Sequence, residues 1–270
     1  MSDLMESISA GILGIVQGLT EFLPVSSSGH LVIFEHFFPI AGDNITFDLI
    51  LHLGTLLPVI WVYREDIKSV LLDIYPPSSP TPFMERDGCR LAGFVILGSV
   101  PTGIIGILCK DFFQSIFDSP QIVSIPFAIT GCILFGLRYI QGGKIELSTM
   151  TWWHALFIGF IQGIAITPGI SRSGSTIAIA LLLGINRSLA AKFSFLLSIP
   201  AIIGACILQI KDAQLDIPLQ LIMIGFVTSV VSGYLALQWL LKLVNSGNFT
   251  HFCWYLWIIA VLGFLLPVFA

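Results

Sequence analysis

The chain has 270 residues, of which 56% are hydrophobic and 10% charged, with a net charge of -4 and a mean hydropathy of +0.94. A soluble domain carries roughly 25% charged residues, so this composition excludes one and points to a protein that crosses a membrane several times. No basic run is present to neutralise a nucleic-acid backbone, which excludes that class of partner.

The N-terminus, with Asp3 and Glu6 and no positive n-region, does not read as a cleavable signal peptide, so the first apolar segment is expected to stay in the mature protein. That segment, 8–38, is interrupted by Pro24, Ser26 to Ser28 and Gly29. A straight helix is not expected there. Next comes an apolar stretch at 47–63, then a charged segment at 64–90 with a proline-rich run from Tyr75 to Pro82, read as an extended linker. Asp43 and Asp48 read as parts of a solvated loop. Further apolar stretches follow at 91–109 and 120–140. A second interrupted segment, 151–187, contains Pro168, Gly169 and the hydroxyl run Ser171 to Thr176. The chain closes with stretches at 193–210, 218–243 and 252–269. The six uninterrupted stretches each have the roughly 17–25 residues that cross a bilayer as a helix. Backbone freed from helix at membrane depth must be buried in protein or face water, so 8–38 and 151–187 are read as broken or re-entrant helices lining a cavity.

The expectation is therefore an all-α integral membrane protein, one membrane domain over 1–270 with six transmembrane helices and two broken segments. Nine of the twelve Lys and Arg residues (Arg64, Lys68, Arg86, Arg90, Arg138, Lys144, Arg187, Lys192 and Lys242) fall on one side if 64–90 is cytoplasmic. Lys110 and Lys211 fall on the other, and Arg172 alone lies within the membrane. Both termini are then outside. Gly14, Gln17, Ser26, Ser28 and Gly29 recur 145 positions later as Gly159, Gln162, Ser171, Ser173 and Gly174. Three spans separate the two segments, so the halves, about 1–140 and 151–270, are expected to form an inverted repeat whose broken elements meet near the midplane.

Ionisable groups inside a membrane are costly and mark function by default. Glu21 and His30, nine residues apart, are expected to be brought together by the breaks at Pro24 and Gly29. The plainer role for Glu21 is a structural carboxylate. Arg172 offers a permanently charged planar fork that matches phosphate oxygens, and the loop around it opens a helix whose N–H groups favour an anion. Its plainer role is a packing turn in which it pairs with Glu21. His52, His154 and His251 read as structural, and Cys89, Cys109, Cys132, Cys206 and Cys253 as small buried hydrophobes with no disulfide framework. No ligand spacing defines a metal site, although Glu21 is a candidate to hold a hard cation together with substrate phosphates.

At these residues the chain resembles the bacterial undecaprenyl-diphosphate phosphatases of the bacitracin-resistance type. That family's first region, (E/Q)xxxE followed by a serine turn and histidine, is matched by Gln17, Glu21, Ser26 to Ser28 and His30, and its second, PGxSRSxxT, by Pro168, Gly169, Ser171, Arg172, Ser173 and Thr176. The resemblance implies an enzyme of the bacterial inner membrane that removes the terminal phosphate of undecaprenyl diphosphate and uses a divalent cation, Mg²⁺ or Ca²⁺; the arginine and lysine count is what points to a site opening to the outer side. Many relatives carry glutamate where this chain has Gln17.

The expected catalytic set is His30, Glu21, Ser27 and Arg172, with Gln17, Ser26, Ser171, Arg172, Ser173 and Thr176 binding substrate. Either His30 attacks phosphorus or activates water while Glu21 orients it, or Ser27 attacks with His30 as base. A transporter or lipid flippase is the alternative, since broken helices in inverted repeats also build carriers. Oligomeric state is left open, a homodimer included.

Overall fold

The computed structural model describes residues 3–40, 44–75, 82, 85–117, 120–140, 142–209 and 217–269. Asp43, Lys211 and most of the Tyr75 to Pro82 run lie outside the described residues.

Among the described residues the chain is helical throughout, in the order α1 (Asp3–Phe22), α2 (Ser27–Phe37), α3 (Asn44–Val62), α4 (Arg64–Ile74), α5 (Asp87–Leu108), α6 (Lys110–Phe117), α7 (Pro120–Gly136), α8 (Trp152–Ile164), α9 (Arg172–Leu182), α10 (Arg187–Gln209), α11 (Leu219–Ser246) and α12 (Phe252–Phe269). Six segments are long and apolar enough to cross a bilayer: Asn44–Val62, Asp87–Leu108, Gln121–Tyr139, Arg187–Gln209, Leu219–Ser246 and Asn248–Leu265. Each overlaps one of the six expected stretches. The chain is a multi-pass membrane protein, and both interrupted segments are broken helices, α1–α2 and α8–α9.

Two local readings need correction. Asp48 does not sit in a solvated loop; it is half-buried on α3, where its carbonyl accepts from His52 Nδ1 at 2.7 Å. The loop at 64–90 is not all irregular either: it begins with α4, whose Ile67 and Val70 pack toward the core while Leu71, Leu72 and Ile74 are exposed. The fourth span starts earlier than its apolar stretch, because Asn186 Oδ1 accepts from the Leu189 N–H at 2.9 Å and carries the helix through Arg187. His154 is structural, as expected: it accepts the Thr151 N–H at 3.2 Å and completes the cap of α8.

Packing between the halves is reciprocal. Helix α1 packs along α11, the second span of the second half, while α8 packs along α5, the second span of the first. The two contacts are built alike. A Cβ on Gly14 would collide with the Gly225 carbonyl of α11, and one on Gly159 with the Gly98 carbonyl of α5. Only hydrogen side chains let these backbones approach so closely, the usual basis of helix association where lipid leaves no hydrophobic drive. At the same places Ser232 donates to the Gly14 carbonyl at 3.4 Å and Thr102 to the Gly159 carbonyl at 2.8 Å. Helices α7 and α12 pair with each other. The main core, which includes Phe22, Phe127, Phe193 and Phe195, lies around both breaks. The two breaks are thereby clamped inside the bundle.

Candidate active site

The two breaks are closed by the same device. Helix α1 ends at Phe22 ahead of Pro24, and Ser26 caps α2 by accepting the Gly29 N–H at 3.4 Å. Helix α8 ends ahead of Pro168, and Ser171 caps α9 by accepting the Gly174 N–H at 3.0 Å. Ser26 Oγ lies 3.4 Å from Ser28 Oγ, and Ser171 Oγ lies 3.3 Å from Ser173 Oγ. The loops are also tied to each other: Ser26 Oγ accepts the Gly169 N–H at 3.1 Å, and Ser173 Oγ donates to the Leu23 carbonyl at 3.2 Å. From α7, Thr130 donates to the Gly169 carbonyl at 3.2 Å and accepts the Ser171 N–H at 3.1 Å. Ser26 holds a φ of 66°, a left-handed backbone that serine adopts only when its surroundings impose it.

This crossing places Arg172, the first residue of α9, against Glu21, near the end of α1. Nη2 of Arg172 forms an ion pair with Oε1 of Glu21. The other carboxylate oxygen, Oε2, accepts from Ser27 Oγ at 2.6 Å and from Gln17 Nε2 at 3.1 Å, and His52 Nε2 lies 3.8 Å away. Glu21 is 7% exposed. Two neutral donors and the guanidinium repay the cost of burying its charge. The arginine is not saturated: its Nη1, like Gln17 Oε1 and Ser175 Oγ, is buried without a partner. A buried guanidinium N–H with nothing to bond to is a slot for an anionic oxygen.

Gln17, Glu21, Ser27 and Arg172 are therefore brought together. His30 is not. It is 1% exposed and turned to another group, with Nδ1 at 2.7 Å from the Ser26 carbonyl and Nε2 at 2.7 Å from the Tyr255 hydroxyl of α12. The expected contact between Glu21 and His30 is not made, because the carboxylate oxygens are filled from α1, α2 and α9 and the imidazole must serve the Ser26 carbonyl. Ser27 likewise bonds Glu21 rather than His30, so His30 is not its base in this geometry. Ser26, Ser171 and Ser173 are spent on capping and on tying the loops. Thr176 donates to the Arg172 carbonyl at 2.8 Å and contacts Ser194 of α10. Their hydroxyls are engaged in holding the two loops together.

Three residues at the site were given no role in it by the sequence reading: His52, Thr130 and Tyr255. His52 carried a signal, since Phe47 to His52 matches Phe193 to Ser198 in the repeat, which placed it at a paired position. Tyr255 carried none, an aromatic in an apolar span being ordinary.

Among the described residues no group of three or more His, Cys, Asp and Glu is gathered to hold a metal ion. Both oxygens of Glu21 are already engaged. The residues as arranged do not make a cation site by themselves.

The family model described as bacitracin resistance protein BacA matches residues 10–262. An undecaprenyl-diphosphatase of Carboxydothermus hydrogenoformans is 43% identical over 263 residues, covering 95% of this chain and 96% of its own. That of Halothermothrix orenii is 41% identical, covering 97% and 98%, and that of Methanosphaera stadtmanae is 41% identical, covering 98% and 99%.

Proposed function

The chain belongs to the bacitracin resistance protein BacA family, and from that membership and the Glu21–Arg172 site we propose the following chemistry. The protein is a membrane phosphatase that hydrolyses undecaprenyl diphosphate to undecaprenyl phosphate and inorganic phosphate. The product is the monophosphate lipid carrier, and recycling it underlies bacitracin resistance.

The observation that carries the mechanism is the 2.6 Å bond from Ser27 Oγ to a carboxylate already paired with an arginine that keeps one N–H open. Arg172 Nη1 takes an oxygen of the terminal phosphate. Ser27 Oγ attacks that phosphorus and its proton passes to Glu21 Oε2, while the anhydride P–O bond breaks and its electron pair leaves on undecaprenyl phosphate. Water then attacks the phosphoserine, the released Oγ recovers its proton, and inorganic phosphate departs. Glu21 paired with a guanidinium suits a loose phosphoryl-transfer transition state, in which the proton moves late and charge stabilisation dominates. Gln17 orients the carboxylate through its amide.

A second reading has its own observation. A carbonyl only accepts, so the Nδ1 of His30 that faces Ser26 carries the proton, and in the neutral ring Nε2 bears a lone pair, bonded to the Tyr255 hydroxyl at rest, that would attack phosphorus once that hydroxyl yields it. Trapping the phosphoenzyme separates the two: acid-stable label on Ser27 supports the first, acid-labile label on His30 the second.

A divalent cation belongs to the proposal as the counter-ion of the diphosphate, arriving with substrate rather than on a preformed protein site. Gln17 Oε1, buried beside Glu21 without a partner among the described residues, is the amide oxygen that would meet it. The prenyl tail stays in lipid, since each CH₂ kept from water is worth about 0.8 kcal/mol. We place the protein in the inner membrane with the 64–90 segment cytoplasmic and the site open to the outer side, on the Lys and Arg distribution. Three spans between the broken helices make the repeat inverted. A carrier or flippase needs no serine held on a buried carboxylate; phosphate release in detergent, where no membrane separates two sides, is the test. Assembly as a homodimer is a further proposal, open to sizing in detergent.

A further inference from the structure

We propose that Tyr255 is a positioning residue of the phosphatase site, holding the Nε2 lone pair of His30 through a hydrogen bond from its hydroxyl. The inference rests on the reading that His30 belongs to that site. It concerns a residue outside both sequence segments that resemble the phosphatases.

His30 sits on the first turn of α2, in a sleeve formed by α7 and α12. The edge-on ring of Phe127 lies 5.1 Å from the imidazole, centroid to centroid, at 80°. The Tyr255 ring lies 5.7 Å away, centroid to centroid, with its plane within 6° of parallel to the imidazole. Nδ1 is fixed as a donor because its partner is the Ser26 carbonyl at 2.7 Å. Nε2 of the neutral ring is therefore an acceptor, and the hydroxyl 2.7 Å from it is the donor. The two bonds leave the imidazole no freedom to flip. A buried histidine without an Nε2 partner would keep its place by packing alone.

Two features distinguish this hydroxyl from an ordinary structural bond. A phenol both donates and accepts, so Tyr255 remains a partner when Nε2 gains a proton: the hydroxyl then rotates and accepts Nε2–H. His30 can thus exchange a proton during turnover without losing its orientation. The tyrosine is also anchored only by the last span, 225 residues away in sequence, and its residue surface is 41% exposed. It is held to α2 by this contact rather than by enclosure, so α12 reports directly on His30. Histidines at functional sites are held in orientation by hydrogen-bond partners of their ring nitrogens, and losing such a partner costs activity through geometry.

The test uses purified full-length protein in detergent, with undecaprenyl diphosphate as substrate and ¹⁵N-histidine labelling, His30 being assigned by His30→Gln. The variant Tyr255→Phe keeps the ring and removes the hydroxyl. Expected is a fall in kcat of about 3- to 10-fold with KM within about twofold, the effect of one hydrogen bond that orients rather than binds. The His30 Nε2 resonance should move toward that of an imidazole nitrogen with no donor, while Nδ1 stays protonated. A structural tyrosine would move thermal stability but neither of these. Tyr255→Phe with wild-type kcat and an unmoved Nε2 resonance overturns the proposal, as does a wild-type spectrum in which Nε2 carries the proton. If His30→Gln is folded and fully active while the resonance moves as expected, the positioning contact stands and the assignment of His30 to the site fails.

Discussion

Arg172 closes on Glu21 across 151 positions of sequence, joining the first turn of one half-helix to the last turn of another. Neither residue has a second opposite charge as close, and both side chains are largely buried, at 16% and 5% exposure. The pair therefore joins the two halves and also defines the site, and its two duties can be separated.

Removing one partner of a buried pair leaves an uncompensated charge, which costs about 3–5 kcal/mol. Arg172→Ala should lower thermal stability in detergent by that order and abolish phosphate release. The double variant Arg172→Ala with Glu21→Gln removes the stranded charge and should recover much of the stability while staying inactive. Thermal unfolding monitored beside activity reads both. A double variant as unstable as Arg172→Ala would mean that the guanidinium matters for packing rather than for the carboxylate.

Ser26 and Ser171 perform the same capping role, but Ser26 carries the additional N–H of Gly169. Ser171→Ala should cost about 1 kcal/mol, the usual value for an N-cap. Ser26→Ala should cost about 2–3 kcal/mol, because it also leaves the Gly169 N–H buried and unpaired. Equal losses of melting temperature would show that the link between the loops contributes nothing.

The reciprocal helix contacts predict intolerance at two glycines and tolerance at a third. Gly14→Ala and Gly159→Ala press a methyl into the facing backbone and should each cost about 1–3 kcal/mol or prevent assembly. Gly204, within α10, has open space where its Cβ would be, so Gly204→Ala should be neutral or stabilising by up to about 1 kcal/mol. Melting curves of the three variants in one detergent make the comparison.

Much of this arrangement was legible beforehand because polar groups in an apolar chain are conspicuous. Glu21 and Arg172 stood out by that rule, and the 145-residue offset paired Ser26 with Ser171 before either was seen to cap a helix. The plainer role considered for Arg172, pairing with Glu21, is what the structure shows, and it coexists with an open N–H rather than excluding anion binding. What the sequence left open was direction. Serine at a helix break serves equally as a cap and as a ligand, and only the fold shows that Ser26, Ser171, Ser173 and Thr176 turn inward. His30 was expected on Glu21 because the breaks at Pro24 and Gly29 allow the chain to fold back between them. Its partner instead comes from the last span, a pairing that no local pattern encodes.

Orientation follows from basic residues alone and has a direct check. Lys144 is exposed in the connection between the halves, on the side proposed to be cytoplasmic. With the five native cysteines replaced, Lys144→Cys should resist a membrane-impermeant thiol reagent in intact cells and react after permeabilisation. Labelling in intact cells would reverse the topology and the side on which the site opens.

The most direct test of the central claim is phosphate release from undecaprenyl diphosphate by purified protein, with Mg²⁺ or Ca²⁺ supplied, for wild type beside folded Ser27→Ala and the stabilised Arg172→Ala, Glu21→Gln double variant. The account predicts steady release by wild type and a loss of about 1000-fold or more in both variants, in line with removal of a nucleophile or of the main charge-stabilising group. Release by either variant at a rate near wild type would contradict the Ser27–Glu21–Arg172 site.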